Sequence, residues 1–413
     1  MKKLHAAIGA LLLSILMGCA DKSDGDNNVR NSEAIAEQMQ ALLDDAVKSG
    51  APGVTVAVAT SEGVKWTGSA GVANLKSGEP ITPDRLFGIG SITKTFVAVV
   101  IHQLVEEEKL RLTQTPAEIL GADAMGDIPN SDTATVAHLL NHTSGIPSWE
   151  DDPKWIREGR GADLVPSKIW GKTETLDYIR NTEPLFEPGA FYSYANTNHT
   201  LLGLIIEKVT GNEATQEIKT RILDPIGLEN IFLEGFDAYP RQRAAGRYHH
   251  ATDVFKRDAG VGADFPEIAD GVIDVNASNL SVEWTAGGMV ASVHDMARYA
   301  LALRDGELLN EESMARLYDW RPALGPGETS TNASISYGLF RFDYPDDVLI
   351  GHGGNVLGYT ANMHWRDSGD VVVMVMANIG SMHSGGDVVT AYSLGRGGGL
   401  TALASAYVKA LDN

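Results

Sequence analysis

Hydrophobic and polar positions repeat with two different periods along this chain, and the periods divide it. Within residues 32–49, Ile35, Met39, Leu42, Leu43, Ala46 and Val47 fall on one helical stripe, and Gly50 stops it. Val54, Val56 and Val58 then alternate, Glu62-Gly63 turns the chain and residues 64–67 return, which predicts a β-hairpin. Residues 91–108 predict a long apolar helix through Ile92, Phe96, Val99, Val100, Gln103 and Leu104. Near the other end, residues 336–342, 348–352, 360–366 and 371–377 predict strands, with Asp367-Ser368-Gly369-Asp370 turning the last hairpin. Residues 401–411 predict a closing helix, after a flexible break at Gly395 to Gly399.

Strands therefore cluster at the two ends, and residues 112–285 read as helix and loop. The simplest packing is one antiparallel sheet built from both chain ends, flanked by helices and interrupted by a mainly helical insertion. This is an α/β arrangement of the α+β kind. Residues 34–111 and 286–413 would form the sheet domain and residues 112–285 the helical one. No internal repeat or long low-complexity tract disturbs this division.

The first residues belong to neither part. Lys2 and Lys3 precede an apolar run from Ala6 to Met17. Twelve helical residues span about 18 Å, short of a bilayer core of about 30 Å, so a signal peptide over residues 1–18 fits better than a membrane span. An ordinary secretory signal would discard the cysteine that follows. However, Leu16-Met17-Gly18-Cys19 resembles the bacterial lipobox, and Cys19 is the chain's one cysteine. That resemblance implies lipidation at Cys19 and an exported protein, on the periplasmic or cell-surface side of a bacterial membrane. Residues 19–33 contain a polar Asp- and Asn-rich stretch that predicts a flexible tether. Membrane contact is then expected through the lipid anchor alone.

Composition narrows the function. The chain has 413 residues, 43% hydrophobic and 21% charged, enough for a sizeable core. A net charge of −21 repels phosphate backbones, so nucleic acid is not an expected partner. A single cysteine excludes internal disulfides and thiolate zinc clusters. His138 and His142 are four residues apart but lack the intervening glutamate and third ligand of a zinc helix, so they read as a helix face packed near a loop. No metal or organic cofactor is implied. Other familiar signatures nearly match and fail. Ile89 stands where a serine elbow needs glycine, Pro166 where a P-loop needs it, and Thr93 where a dinucleotide loop needs it.

Ser91-Ile92-Thr93-Lys94 carries chemistry. Residues three apart share a helix face, so the Lys94 amine can reach the Ser91 hydroxyl and accept its proton. The N-terminus of the helix adds positive potential where an oxyanion would develop. By itself the segment reads equally well as an ordinary helix cap beside a solvated lysine. Three further segments shift the balance: Tyr192-Ser193-Tyr194-Ala195-Asn196-Thr197-Asn198, Gly351-His352-Gly353-Gly354-Asn355, and HLLNHTSGIP from His138 to Pro147.

With Ser91 and Lys94, these segments resemble the penicillin-recognising serine hydrolases, in the branch of class C β-lactamases, D-Ala-D-Ala carboxypeptidases and related esterases. The resemblance runs over about residues 34–377 and implies a β-lactamase/transpeptidase-like fold. It implies Ser91 as the acylated nucleophile, Lys94 as its proton partner, and Tyr194 as general base and acid, its phenol made acidic by nearby positive charge. Asn196 would orient Lys94 and donate to the substrate amide. His352 would lie on an edge strand beside the substrate, Gly353 and Gly354 would let the substrate approach, and the main-chain N–H groups of Ser91 and Asn355 would form the oxyanion hole. Gly353 stands where many relatives have a threonine that helps hold a substrate carboxylate. Arg341, on the preceding strand, could replace that anchor, though an ordinary strand arginine is the simpler reading.

The expected activity is a D-Ala-D-Ala carboxypeptidase-like peptidase acting on D-amino-acid peptides. An esterase or weak β-lactamase is the alternative within the same machinery. A non-catalytic protein that binds cell-wall fragments is the alternative outside it. The partner in each case is a small peptide, ester or β-lactam.

Overall fold

A computed structural model of the chain describes residues 24–345, 347–367, 369–386, 388–395 and 399–412. The expected signal peptide, Cys19 and the middle of the Gly395–Gly399 break lie outside the described residues. The valines that alternate at the start of the chain become the centre of a nine-stranded sheet. Strand β1 (Gly53–Thr60) pairs on one side with β2 (Gly63–Asn74), which reaches the short β3 (Glu79–Pro80). On its other side β1 pairs with β9 (Val372–Ala377), Val54 opposite Ala377. Beyond β9 lie β8 (Tyr359–Arg366), β7 (Asp347–Val356), β6 (Phe340–Tyr344), β5 (Ala333–Ile335) and β4 (Arg321–Pro322), each antiparallel to its neighbour.

Helices cover both faces, which is why β1 is buried along its whole length. Val54, Val56 and Val58, with Val373 and Val375 of β9, pack under helices α1 (Asp24–Lys48) and α6 (Gly399–Leu411). Ala57, Ala59, Met374 and Met376 face the other way, towards α2 (Thr93–Glu106) and α4 (Val293–Arg304). In that larger core the Phe96 ring of α2 stacks on Tyr299 of α4, centroids 3.7 Å apart. Each fully buried aliphatic or aromatic side chain contributes about 1.5–3 kcal/mol by leaving water.

Several expectations change. The tether expected over residues 19–33 is helical from Asp24, because α1 continues outward from its amphipathic stripe and the buried Ser32 hydroxyl bonds back to Val29 O at 2.8 Å. The strand expected at residues 336–342 begins only at Phe340, and residues 336–339 are the turn that joins β5 to β6. Ser336 N bonds to Leu339 O at 2.9 Å across a turn whose Gly338 has φ +136°. Residues 112–285 carry helices, α3 (Asn196–Thr210) among them, but also short strands at Ile231–Leu233, Tyr248–His250, Glu267–Ala269 and Val272–Asp274. Three residues are too few to show an alternation. Finally, β7 is not an edge strand as a whole. Its pairing with β6 ends at Phe340 opposite Gly351, so from His352 to Val356 one side stays open. The turn before α2 packs against this stretch.

Candidate active site

Ser91 sits in a single turn of 3-10 helix, Gly90–Ile92, that leads into α2. Gly90 adopts φ +52°, and a side chain there would come within 2.6 Å of the main-chain nitrogen of Asn355. At Gly354 a side chain would run into Ile89 O and lie 3.0 Å from Ser91 N. The two glycines therefore let the turn and the open side of β7 meet backbone to backbone. The nitrogens of Ser91 and Asn355 end up together, as an oxyanion hole requires. The Asn355 side chain is tied to Ser381, so its backbone remains the relevant part.

One turn into α2, the Lys94 amine lies 3.0 Å from Ser91 Oγ, and 2.6 Å from both Asn196 Oδ1 and Ala286 O. It is 1% exposed. Burial drives its ammonium down to about 7, against the pull of the Glu150 and Glu283 carboxylates. At neutral pH a large share of this amine is therefore a free base aimed at the serine.

Tyr194 flanks the same hydroxyl. Its ring lies 4.9 Å from Lys94 Nζ and stacks on His142, centroids 4.3 Å apart. The phenol oxygen is buried and makes no well-aligned hydrogen bond, although the Ser91 hydroxyl beside it favours ionisation. Burial wins, and the phenol is held well above its ordinary 10. The expectation of an acidified phenol is thus reversed: Lys94 offers too little positive charge to outweigh desolvation. In this arrangement the Lys94 amine is placed to accept the proton of Ser91, and the Tyr194 phenol can donate one.

Asn196 lies just inside the start of α3 and uses its amide on the protein itself. Oδ1 accepts from Lys94, and Nδ2 donates to Glu150. It orients the lysine, and the amide is turned inward onto Lys94 and Glu150. His352, on β7, faces the cavity. Its Nδ1 lies 2.6 Å from Gly353 O, which can only accept, so Nδ1 carries the proton. Burial lowers its pKa to about 3, with Lys94 adding to the drop, so the ring is neutral. Arg341 is on the far face of β6 from the cavity-lining Phe340 and Phe342, and pairs with Asp343 and Asp367. It does not reach the site.

The cavity holds about 350 Å³ and is lined by Ser91, Tyr194 and His352, by Glu150, and by an apolar wall that includes Phe340 and Phe342. Behind it lies a buried ionic cluster. Arg160, 1% exposed, contacts Glu150 at 2.6 Å and Glu283 at 2.7 Å. Burial raises the Glu283 carboxyl to about 7, against the attraction of Arg160. Sequence reading did not find these three residues, which come from separate segments and form no spacing pattern. It also placed His142 on a helix face. The helix Val136–Leu140 ends before it, and His142 adopts φ +56°, its Nδ1 accepting from Ala195 N at 3.1 Å. His138 Nδ1 instead caps that helix through Thr135 N at 3.2 Å. No group of three potential metal ligands occurs among the described residues.

This geometry agrees with comparisons to known proteins. Residues 32–393 match the family model "Beta-lactamase", and the chain belongs to that family. Its mixed α+β fold is the one that its beta-lactamase and penicillin-binding protein relatives share. Among solved structures it resembles the D-amino acid amidase from Ochrobactrum anthropi SV3 complexed with L-phenylalanine amide. That likeness has 27% identity and a TM-score of 0.74, over 92% of this chain and 99% of the other. Esterase EstB of Burkholderia gladioli is 25% identical over 69% of this chain and 74% of its own length. A putative D-alanyl-D-alanine carboxypeptidase of Escherichia coli O157:H7 is 28% identical over half of each chain. For Penicillin-binding protein 4 of Amycolatopsis lactamdurans the figures are 30% and 39% of each chain, so the chain spans half or less of these last two relatives.

Proposed function

We propose that this chain hydrolyses the amide bond that follows a D-amino acid, through an acyl enzyme on Ser91. The single observation that carries the reading is the contact of the buried Lys94 amine with the Ser91 hydroxyl, with Tyr194 beside both. Lys94 takes the proton as Ser91 Oγ bonds to the substrate carbonyl carbon. The oxygen that gains the electron pair is met by the N–H groups of Ser91 and Asn355. When the carbon–nitrogen bond breaks, the leaving amine takes a proton passed from Lys94 by way of the Tyr194 phenol. Water then attacks the acyl ester and gives up a proton along the same path. The acid departs and Ser91 regains its hydrogen, with one water consumed.

The substrate class follows from what lines the cavity. The apolar wall, which includes Phe340 and Phe342, suits a hydrophobic side chain. A terminal carboxylate is poorly served. Gly353 brings no hydroxyl, His352 is neutral and Arg341 faces away. Simple amides, which end in no carboxylate, are therefore favoured over D-Ala-D-Ala itself. The likeness to a D-amino acid amidase supports this choice. Esterase activity is the second reading, favoured by the same lack of a carboxylate seat and by the likeness to Esterase EstB. Mere binding of cell-wall fragments is disfavoured, because nucleophile and base are already in contact. The protein would act outside the cytoplasm, held to a bacterial membrane by lipid on Cys19.

The test is turnover by purified protein of matched D- and L-amino acid amides, D-Ala-D-Ala, short aryl esters and a chromogenic cephalosporin. Ammonia release from D-amides, abolished by Ser91→Ala, is the expected result. Ester turnover without amide turnover would select the second reading, and no turnover with any substrate would reject both. The anchor is checked by radiolabelled fatty acid incorporation, which Cys19→Ala should remove.

A further inference from the structure

Gly353 is the departure from the family pattern, and the structure shows what fills the gap. Helix α5 (Ala391–Gly395), near the end of the chain, lays the ring of Tyr392 over this glycine. A Cβ at position 353 would run into that ring, with the phenol oxygen 2.9 Å away. The backbone at Gly353 is outside the left-handed region, so conformation does not demand glycine there. The neighbouring ring does. Tyr392 lines the same cavity as Ser91 and Tyr194, and is close enough that its charge would oppose ionisation of Tyr194.

We infer that Tyr392 is a specificity residue, a ring that stands in for the absent side chain of residue 353 and limits the group leaving the scissile bond to a small one. The inference rests on the acyl-serine reading above. By the family pattern, the side chain at this position meets the carboxylate of the substrate. In a D-Ala-D-Ala peptide that carboxylate belongs to the departing residue, so position 353 marks the leaving-group side. Here an aromatic ring occupies that side. Ammonia, methylamine or a short alcohol fits beside it, and a second bulky residue does not. The ring comes from a segment distant in sequence from the nucleophile and the other motifs, so no motif reveals it.

The experiment compares wild type, Tyr392→Phe and Tyr392→Ala on an amide, a methylamide and an anilide of one D-amino acid. Tyr392→Ala should raise kcat/KM for the anilide relative to the amide by about tenfold or more, whereas Tyr392→Phe should keep the wild-type ratio. Gly353→Ala should be impaired alone and rescued in the Tyr392→Ala background. Labelling of Ser91 by phosphonates that release phenol or naphthol gives the same size ratio without relying on amide turnover. If no amide is turned over but that ratio shifts in Tyr392→Ala, the substrate reading fails and the role of Tyr392 stands. An unchanged ratio in Tyr392→Ala, a shifted ratio in Tyr392→Phe, or full activity of Gly353→Ala alone would overturn the inference.

Discussion

Lys94 shows how burial alone can make a strong base available at neutral pH. A lysine in water keeps its proton until about pH 10.4 and would be useless for activating a serine. Here the loss of hydration outweighs the attraction of two carboxylates, and the ammonium titrates at about 7. The active form is the neutral amine, which grows as pH rises. The rate of Ser91 acylation should therefore climb through about pH 7 and then level off, as read from kcat/KM against pH. A rate that rose only near pH 10 would contradict this assignment. Lys94→Arg, which cannot lose its proton, should cost about 10²–10⁴ in kcat/KM at every pH and so abolish the rise through pH 7.

Arg160 illustrates a different residue-scale effect. It is enclosed with two carboxylates, and removing it leaves both without their cation. Arg160→Met should cost about 3–5 kcal/mol of stability in denaturant unfolding, far more than any exposed ion pair. Of the site residues, Ser91, Lys94, Tyr194, Asn196 and His352 could be named from the sequence because each belongs to a short local pattern. The ionic cluster and Tyr392 could not, since their meaning lies only in which distant segments touch. The protonation of Tyr194 was misread for a related reason: neighbouring charge can be guessed from a motif, but burial cannot.

At the level of elements, the site depends on how the first turn of α2 is seated. The helix is buried on nearly every side, so its position is set by packing partners such as Tyr299. Phe96→Ala should cost about 3–5 kcal/mol by leaving a cavity under the helix, measured by thermal or denaturant unfolding. Gly90→Ala tests the contact with β7 more locally. It adds a side chain where φ is positive and where Asn355 N already stands, so the oxyanion donors must separate. A loss of about 10²–10³ in kcat, with substrate binding less affected, is the expected outcome. Long elements such as α2, β1 and β9 were readable in advance because their periods persist. The open half of β7 was not, because which neighbour stops short depends on the register of β6.

At the scale of the molecule, the sheet is closed by strands from opposite ends of the chain. β9 separates β1 from β8, so neither half of the sheet has its full set of partners without the other. A chain truncated after Asp370 loses β9, α5 and α6, and exposes the valines of β1 on the face that α1 and α6 cover. It should lack a cooperative unfolding transition, checked by circular dichroism. A truncated chain with normal cooperativity would mean that β1 and β8 can pair directly.

The meeting of β1 and β9 also sets a time order. Some three hundred residues separate the two partners, and on the growing polypeptide the side of β1 away from β2 waits for its neighbour until β9 has been made. Ser91 and Lys94 leave the ribosome long before the strand that completes their support. Until β9 has emerged, the nascent chain carries the Ser91–Lys94 pair without the completed sheet that seats it.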